Sequence, residues 1–92
     1  MARFTWGERK RRQNLARHGF DFVDAPAVFE GLTFTFEDDR FDYLERRYVT
    51  LGLLVGIVVS IVHTETPQEI RIISFRKATL REQEIYFAQI RD

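Results

Sequence analysis

Two groups of side chains in this sequence could act on an anion. One closes a β-branched run, where Ile70, Ile72 and Ile73 are interrupted by Arg71, Ser74 and Arg76 shortly before Thr79. The other runs along residues 8–18, where Lys10, Asn14 and then Arg17 or His18 recur at i, i+4, i+7 and i+8, the spacing that lines one face of a helix. A strand whose last residues turn polar and cationic beside a helix start is a candidate anion site, the alternative being a well-solvated strand end. The basic helix face is likewise either a phosphate-contacting surface or a solvated one. His18, just before Gly19, can exchange a proton near neutral pH or stabilise a helix carboxyl end through the dipole.

Metal and cofactor chemistry finds little to stand on. There is no cysteine, and the two histidines, His18 and His63, cannot make a histidine-only metal site. No ligand spacing stands out, so neither a metal nor a cofactor is expected. His63 ends an apolar run and reads as structural. Residues 37–45 (EDDRFDYLE) invite a metal or acid–base reading. Adjacent acids in a loop rarely converge, so a solvated or partner-facing acidic loop is expected there.

These groups must be positioned by a small fold. The 92 residues are expected to form a single domain over 1–92, burying roughly 60–65% of the unfolded surface. With 45% hydrophobic residues and nine Phe, a modest core is attainable. The amino terminus is charged within three residues and lacks an apolar signal region, and the apolar run 49–62 is too short to cross a bilayer and contains Gly52 and Gly56. A soluble, cytoplasmic domain with no membrane association is therefore expected, which suits the absence of cysteine. The zero net charge hides blocks: residues 1–20 carry +5, residues 21–45 carry −7 with Arg40 the only base, and residues 46–92 carry +2. Such a surface offers a basic face to polyanions and an acidic face to a cationic protein.

Residues 3–6 (RFTW) read as a short edge strand and 8–18 as a helix closed by Gly19. A second short helix is expected from Asp21 or Asp24, with Asp24 as cap, to Glu30. Leu32, Phe34 and Phe36 alternate with Thr33, Thr35 and Glu37 as a half-buried strand. Residues 46–51 and 57–63 read as antiparallel strands joined around Gly52–Gly56, an oddly apolar connector suggesting a covered tip. Residues 70–76 form the next strand. Thr79 and Glu82 have the spacing of a capping box, opening a last helix that turns Leu80, Tyr86, Phe87 and Ile90 toward the sheet. The order β-α-α-β-β-β-β-α predicts an α+β domain of two layers: two N-terminal helices on a mostly antiparallel four- to five-stranded sheet, and a C-terminal helix.

Nearly end to end, the chain resembles the BrnT family, toxins of type II toxin–antitoxin pairs with a RelE-like ribonuclease fold. The resemblance rests on Phe4 and Trp6, Lys10, Asn14, Arg17-His18-Gly19, Phe22, Ala25 and Val28-Phe29. It continues through residues 47–52 (RYVTLG), His63-Thr64-Glu65, residues 70–78 (IRIISFRKA), Glu82 and Tyr86. Three positions depart from the family pattern: Gly7 where an acid usually follows the Trp, Phe75 where a small residue is usual, and Ile57 after the hairpin glycine. The first departure bears on any acidic role beside Trp6, with Glu8 one place on. The other two read as packing changes.

The resemblance implies endoribonuclease activity on cellular RNA and inhibition of translation. It also implies neutralisation by a cognate BrnA-like antitoxin whose ribbon-helix-helix part binds DNA, so that promoter DNA is reached only through the antitoxin. Metal-independent RNA cleavage needs a base, an acid, cations on the developing phosphorane and in-line positioning. Arginine meets the cationic need with a planar fork that matches two phosphate oxygens. On that basis Arg71 and Arg76 are candidate phosphate-binding groups, Ser74 a hydrogen-bond donor, His18 a proton carrier, and Lys10, Asn14 and Arg17 substrate contacts. For Arg71 a surface pairing with Glu69 or Glu65 is the alternative. Strict alternation puts Ile70, Ile72, Ser74 and Arg76 on one face and Arg71, Ile73 and Phe75 on the other. Both arginines can serve one site only if the strand twists, bulges or ends near Phe75. A non-catalytic nucleic-acid-binding module, or a protein-interaction module using the acidic loop and apolar hairpin, is the alternative function.

Overall fold

The computed structural model describes residues 2–40 and 44–91, so residues 41–43 of the expected acidic loop lie outside it. Along the chain come β1 (Arg3–Thr5), α1 (Glu8–His18), a 3-10 turn (Phe22–Asp24), α2 (Ala25–Glu30), β2 (Phe34–Glu37), β3 (Tyr48–Leu54), β4 (Ile57–Glu65), β5 (Glu69–Lys77) and α3 (Leu80–Ile90). The strands make one five-stranded sheet in the order β1-β5-β4-β3-β2. Every pairing is antiparallel except that of β1 with β5. Element order and α+β class are those expected from the sequence.

The layering is not. Phe22, Ala25 and Val28 pack on Val59, Ile61, Ile72 and Phe75. Tyr86 of α3 packs instead with Val49, Leu51, Val58 and Ala78. Val58 and Val59 are neighbours on one strand and so point to opposite faces. The sheet therefore lies between helices, with the 3-10 turn and α2 on one side and α3 on the other, three layers rather than two. The cause is visible in β4, where Val58 to Ile61 are all buried, the pattern of a strand covered on both faces.

Local chemistry sets the element ends. Gly19 adopts φ 77° and its N–H bonds to the Leu15 carbonyl at 2.8 Å, closing α1 in the left-handed conformation glycine accepts without strain. Thr79 and Glu82 form the complete capping box at the start of α3. Asp24 makes no side-chain cap bond; Asp21 takes the Val23 N–H instead, one turn earlier. Burial works to raise the Asp21 carboxyl, but hydrogen bonds from Arg11 and Val23 outweigh it and hold the group below its ordinary range.

Three other expectations are corrected. The β3–β4 connector is not five residues long: β3 runs to Leu54, and only Val55 and Gly56 form the turn. Gly52 is thus a strand residue, and it is glycine because α2 lies against it. A Cβ there would sit 2.6 Å from Val28 Cγ1 and 3.2 Å from Thr33 Cγ2. β2 begins at Phe34, leaving Leu32 exposed. On α3, Leu80 and Phe87 face outward, and Ile85, Tyr86 and Ile90 meet the sheet.

His63 is structural, as expected. It is wholly buried, its Nε2 lies 2.7 Å from the Thr50 hydroxyl, and that hydroxyl lies 2.7 Å from the one on Thr35. Burial pushes its pKa down from 6.5 to about 4.

Two measurements follow from this packing. Gly52→Ala should lower stability by about 1–3 kcal/mol through overpacking against α2, read as a drop in denaturant midpoint; an unchanged midpoint would refute the close approach. His63 makes stability depend on pH, because the unfolded chain takes up a proton at about 6.5 and the folded chain only at about 4. Stability is full above pH 6.5 and falls as the pH drops toward 4, with about 2 kcal/mol lost by pH 5. His63→Gln should flatten that slope between pH 7 and 5; an equal slope in the variant would assign it to another group.

Candidate functional site

The site is built on an irregularity in β5. Against β4, Ser74 faces Val62 but Ile72 faces His63, so Ile73 is the extra residue of a β-bulge. The bulge shifts the alternation by one. Ile72 and Phe75 both point into the Phe22 cluster. Arg71, Ser74 and Arg76, opposite Thr64, Val62 and Ser60, share the other face. The condition under which both arginines can reach one side of the sheet is met, and the regular grouping of Ile70, Ile72, Ser74 and Arg76 is broken at Ile73.

β1 covers only residues 69–71 of β5, and beyond them α1 takes over the strand edge. Asn14 does this with its side-chain amide. Its Oδ1 accepts the Phe75 N–H at 3.0 Å, and its Nδ2 donates to the carbonyls of Phe75 at 2.7 Å and Phe20 at 3.0 Å. Both amide hydrogens are thereby engaged. Asn14 is buried, and it positions the helix rather than reaching outward.

Between α1 and the ends of β2 and β3 lies a groove of about 330 Å³. One wall is Lys10, Gln13, Asn14, Arg17 and His18 of α1; the other is Asp38, Arg40 and Arg47; Val62, Ile73 and Ser74 form the floor. Five of the seven side chains singled out in the sequence therefore meet here: Lys10, Asn14, Arg17, His18 and Ser74. Among the described residues, the lysine and arginines that line it are Lys10, Arg17, Arg40 and Arg47, and the carboxylate is Asp38. Among the described residues no group of His, Cys, Asp or Glu is arranged to hold a metal ion.

Arg71 and Arg76 do not line the groove. Arg76 sits one pleat, roughly 6.6 Å, along the strand from Ser74. Its fork is held by Glu82 at 2.8 and 2.9 Å, and it also donates to the Lys77 carbonyl at 3.1 Å. Burial would raise the Glu82 carboxyl, but hydrogen bonds from Arg76 and Thr79 hold it below its ordinary range, so the pair is ionised at neutral pH. Arg71 is exposed near the start of α1, where a Cβ on Gly7 would lie 3.7 Å from its Nη2 and 3.9 Å from Lys10 Cβ. It pairs with neither Glu69 nor Glu65; Glu69 accepts from the Thr5 hydroxyl instead.

The sequence reading missed the second wall. Asp38, assigned to a solvated acidic loop, is only 5% exposed. Its carboxylate takes Arg40 Nε at 2.8 Å and Nη2 at 3.0 Å, and its N–H donates to the Arg47 carbonyl at 2.8 Å. The available signal was Arg40 itself, the only base among the eight acids of residues 21–45.

With this geometry established, comparison with known families gives a match. The family model for the ribonuclease toxin BrnT of type II toxin–antitoxin systems matches residues 6–82. No curated protein matches the chain.

Gly7 is the N-cap of α1, with extended φ and ψ and no side-chain cap bond. Gly7→Asp has room, would cap the helix and would lie beside Arg71. It should stabilise the fold by about 0.5–1 kcal/mol, seen as a rise in thermal midpoint that high salt diminishes. An unchanged or lower midpoint would show that the α1 N-terminus does not limit stability.

Proposed function

Because the chain belongs to the BrnT family of ribonuclease toxins of type II toxin–antitoxin systems, we propose that its groove is the cleavage site and that it works by metal-independent acid–base chemistry. The observation that carries this proposal is the meeting of Lys10, Arg17, His18 and Ser74 around one cavity. In such a reaction the 2′-oxygen attacks the adjacent phosphorus and the bond to the 5′-oxygen breaks. The 2′-hydroxyl proton passes to a base and the 5′-oxygen receives one from an acid, leaving a 2′,3′-cyclic phosphate and a 5′-hydroxyl.

His18 is the proton carrier of the groove. Lys10 and Arg17, on the same helix face, hold the phosphate and offset the charge that grows on its oxygens. Ser74 donates to a non-bridging oxygen from the bulged strand. Arg71, beside the Lys10 end, draws the neighbouring backbone in, whereas Arg76 would have to leave Glu82 to touch phosphate and serves instead to tie β5 to α3. Asn14 fixes the angle at which α1 presents these groups. On this proposal the fold is RelE-like, the protein acts in the cytoplasm and inhibits translation, and a BrnA-like antitoxin with a ribbon-helix-helix part neutralises it. Promoter DNA is engaged by that antitoxin. No helix among the described residues is long and apolar enough to cross a membrane.

Single-stranded RNA incubated with the folded protein and a chelator should yield fragments ending in 2′,3′-cyclic or 3′-phosphate. His18→Ala should slow the reaction at least about 100-fold without changing the thermal midpoint by more than a few degrees. Intact RNA at every salt and chelator concentration would overturn the proposal, and unchanged cleavage by His18→Ala would remove His18 from it.

A further inference from the structure

We propose that Arg40 and Arg47 are substrate-binding residues forming a second phosphate-gripping wall, and that Asp38 is the positioning residue that aims Arg40 into the groove; this rests on the ribonuclease proposal above. The Asp38 side chain is 2% exposed while that of its partner Arg40 is 63% exposed. A carboxylate buried to that degree is costly unless it is paired and hydrogen-bonded. A pair with one member in water contributes little net stability. The arrangement instead fixes orientation. Two near-parallel contacts lock the plane of the Arg40 guanidinium. The Asp38 N–H on the Arg47 carbonyl ties together the two ends of the β2–β3 connection from which both arginines project.

Opposite them, across the Val62–Ile73–Ser74 floor, stand Lys10 and Arg17. RNA carries a charge at every linkage, so cations on both walls can hold the strand on both sides of the bond being cut. Among the described residues that line the groove, Arg40 and Arg47 are the cations on the wall facing Lys10 and Arg17.

The test uses the full chain and a single-stranded RNA made uncleavable by 2′-O-methylation at every nucleotide, with affinity measured across a salt series, beside kcat and KM on the cleavable strand. Arg40→Ala and Arg47→Ala should each weaken binding and raise KM about tenfold, with kcat changed less. Each should reduce the slope of log Kd against log salt by about 0.7. Asp38→Asn separates positioning from charge. If Asp38 were only a negative charge, removing it would tighten binding to a polyanion; as a positioning residue its loss weakens it. Arg40→Lys, at an exposed position that does not threaten the fold, keeps the charge but not the fork, and should fall between wild type and Arg40→Ala. Wild-type affinity and salt slope in both alanine variants would overturn the second wall. Tighter binding by Asp38→Asn, or wild-type behaviour in Arg40→Lys, would overturn the positioning role. A wild-type chain that neither binds nor cuts RNA would bring down the ribonuclease proposal itself, and this inference with it.

Discussion

An unfinished strand edge has to be satisfied, and here one asparagine does it. β1 is three residues long and leaves the backbone of β5 open beyond Arg71. An unpaired strand edge is a liability in any fold, because its N–H and C=O groups template further pairing. Asn14 answers with a side-chain amide, whose donor and acceptor mimic a passing peptide group at Phe75. The same amide reaches the Phe20 carbonyl just past the end of α1, so helix, helix exit and strand are pinned at one point. The orientation of Lys10, Arg17 and His18 follows from that pin. A hydrophobic contact would have buried the helix as well but could not have fixed its rotation, since packing is non-directional where hydrogen bonds are not.

The bulge supplies the complementary half. By inserting Ile73, β5 keeps Ile72 and Phe75 in one core while turning Ser74 to the face where the groove opens. A regular strand would send Ile72 and Phe75 to opposite faces, so that one of them would leave the core, since odd and even positions cannot share a face. The stacked contact between Phe20 and Phe75, with centroids 5.2 Å apart, lies beside the Asn14 clamp and favours the bulged register. Core packing and site geometry are thus decided by the same single-residue shift.

How much of this was legible in the sequence depends on the range of the physics involved. Local signals were sound: the helix over 8–18, the Gly19 cap, the Thr79–Glu82 capping box and the polar stripe from Lys10 to His18 are all properties of a few adjacent residues. Errors entered wherever a partner distant in sequence decides. Gly52 resembled a turn glycine because the approach of Val28 cannot be read from neighbours. Leu80 and Phe87 fit an apolar stripe but lie on the outer side of α3, where the sheet no longer reaches them. Asp38 was indistinguishable from the other acids of residues 37–45, because its burial depends on where Arg47 and α1 come to rest. Arg71 and Arg76 needed the bulge, which the sequence permitted without requiring.

The two arginines of β5 show why residue type alone could not assign the site. Both are forks on one strand and, after the bulge, on one face. Arg76 meets Glu82 where the capping box has already drawn that carboxylate to the start of α3, and the same oxygen that takes Arg76 also takes the Thr79 N–H at 2.8 Å. With its two terminal nitrogens on Glu82, and Nη1 also on the Lys77 carbonyl, Arg76 must break several bonds to accept a phosphate, whereas Arg40 turns its Nε–Nη2 edge to Asp38. Arg71, five positions earlier, faces Gly7, which offers no acid, so its charge stays directed at solvent beside Lys10. Equal in chemistry, the two differ in what the fold has placed opposite them, and that difference ties one to Glu82 and leaves the other exposed.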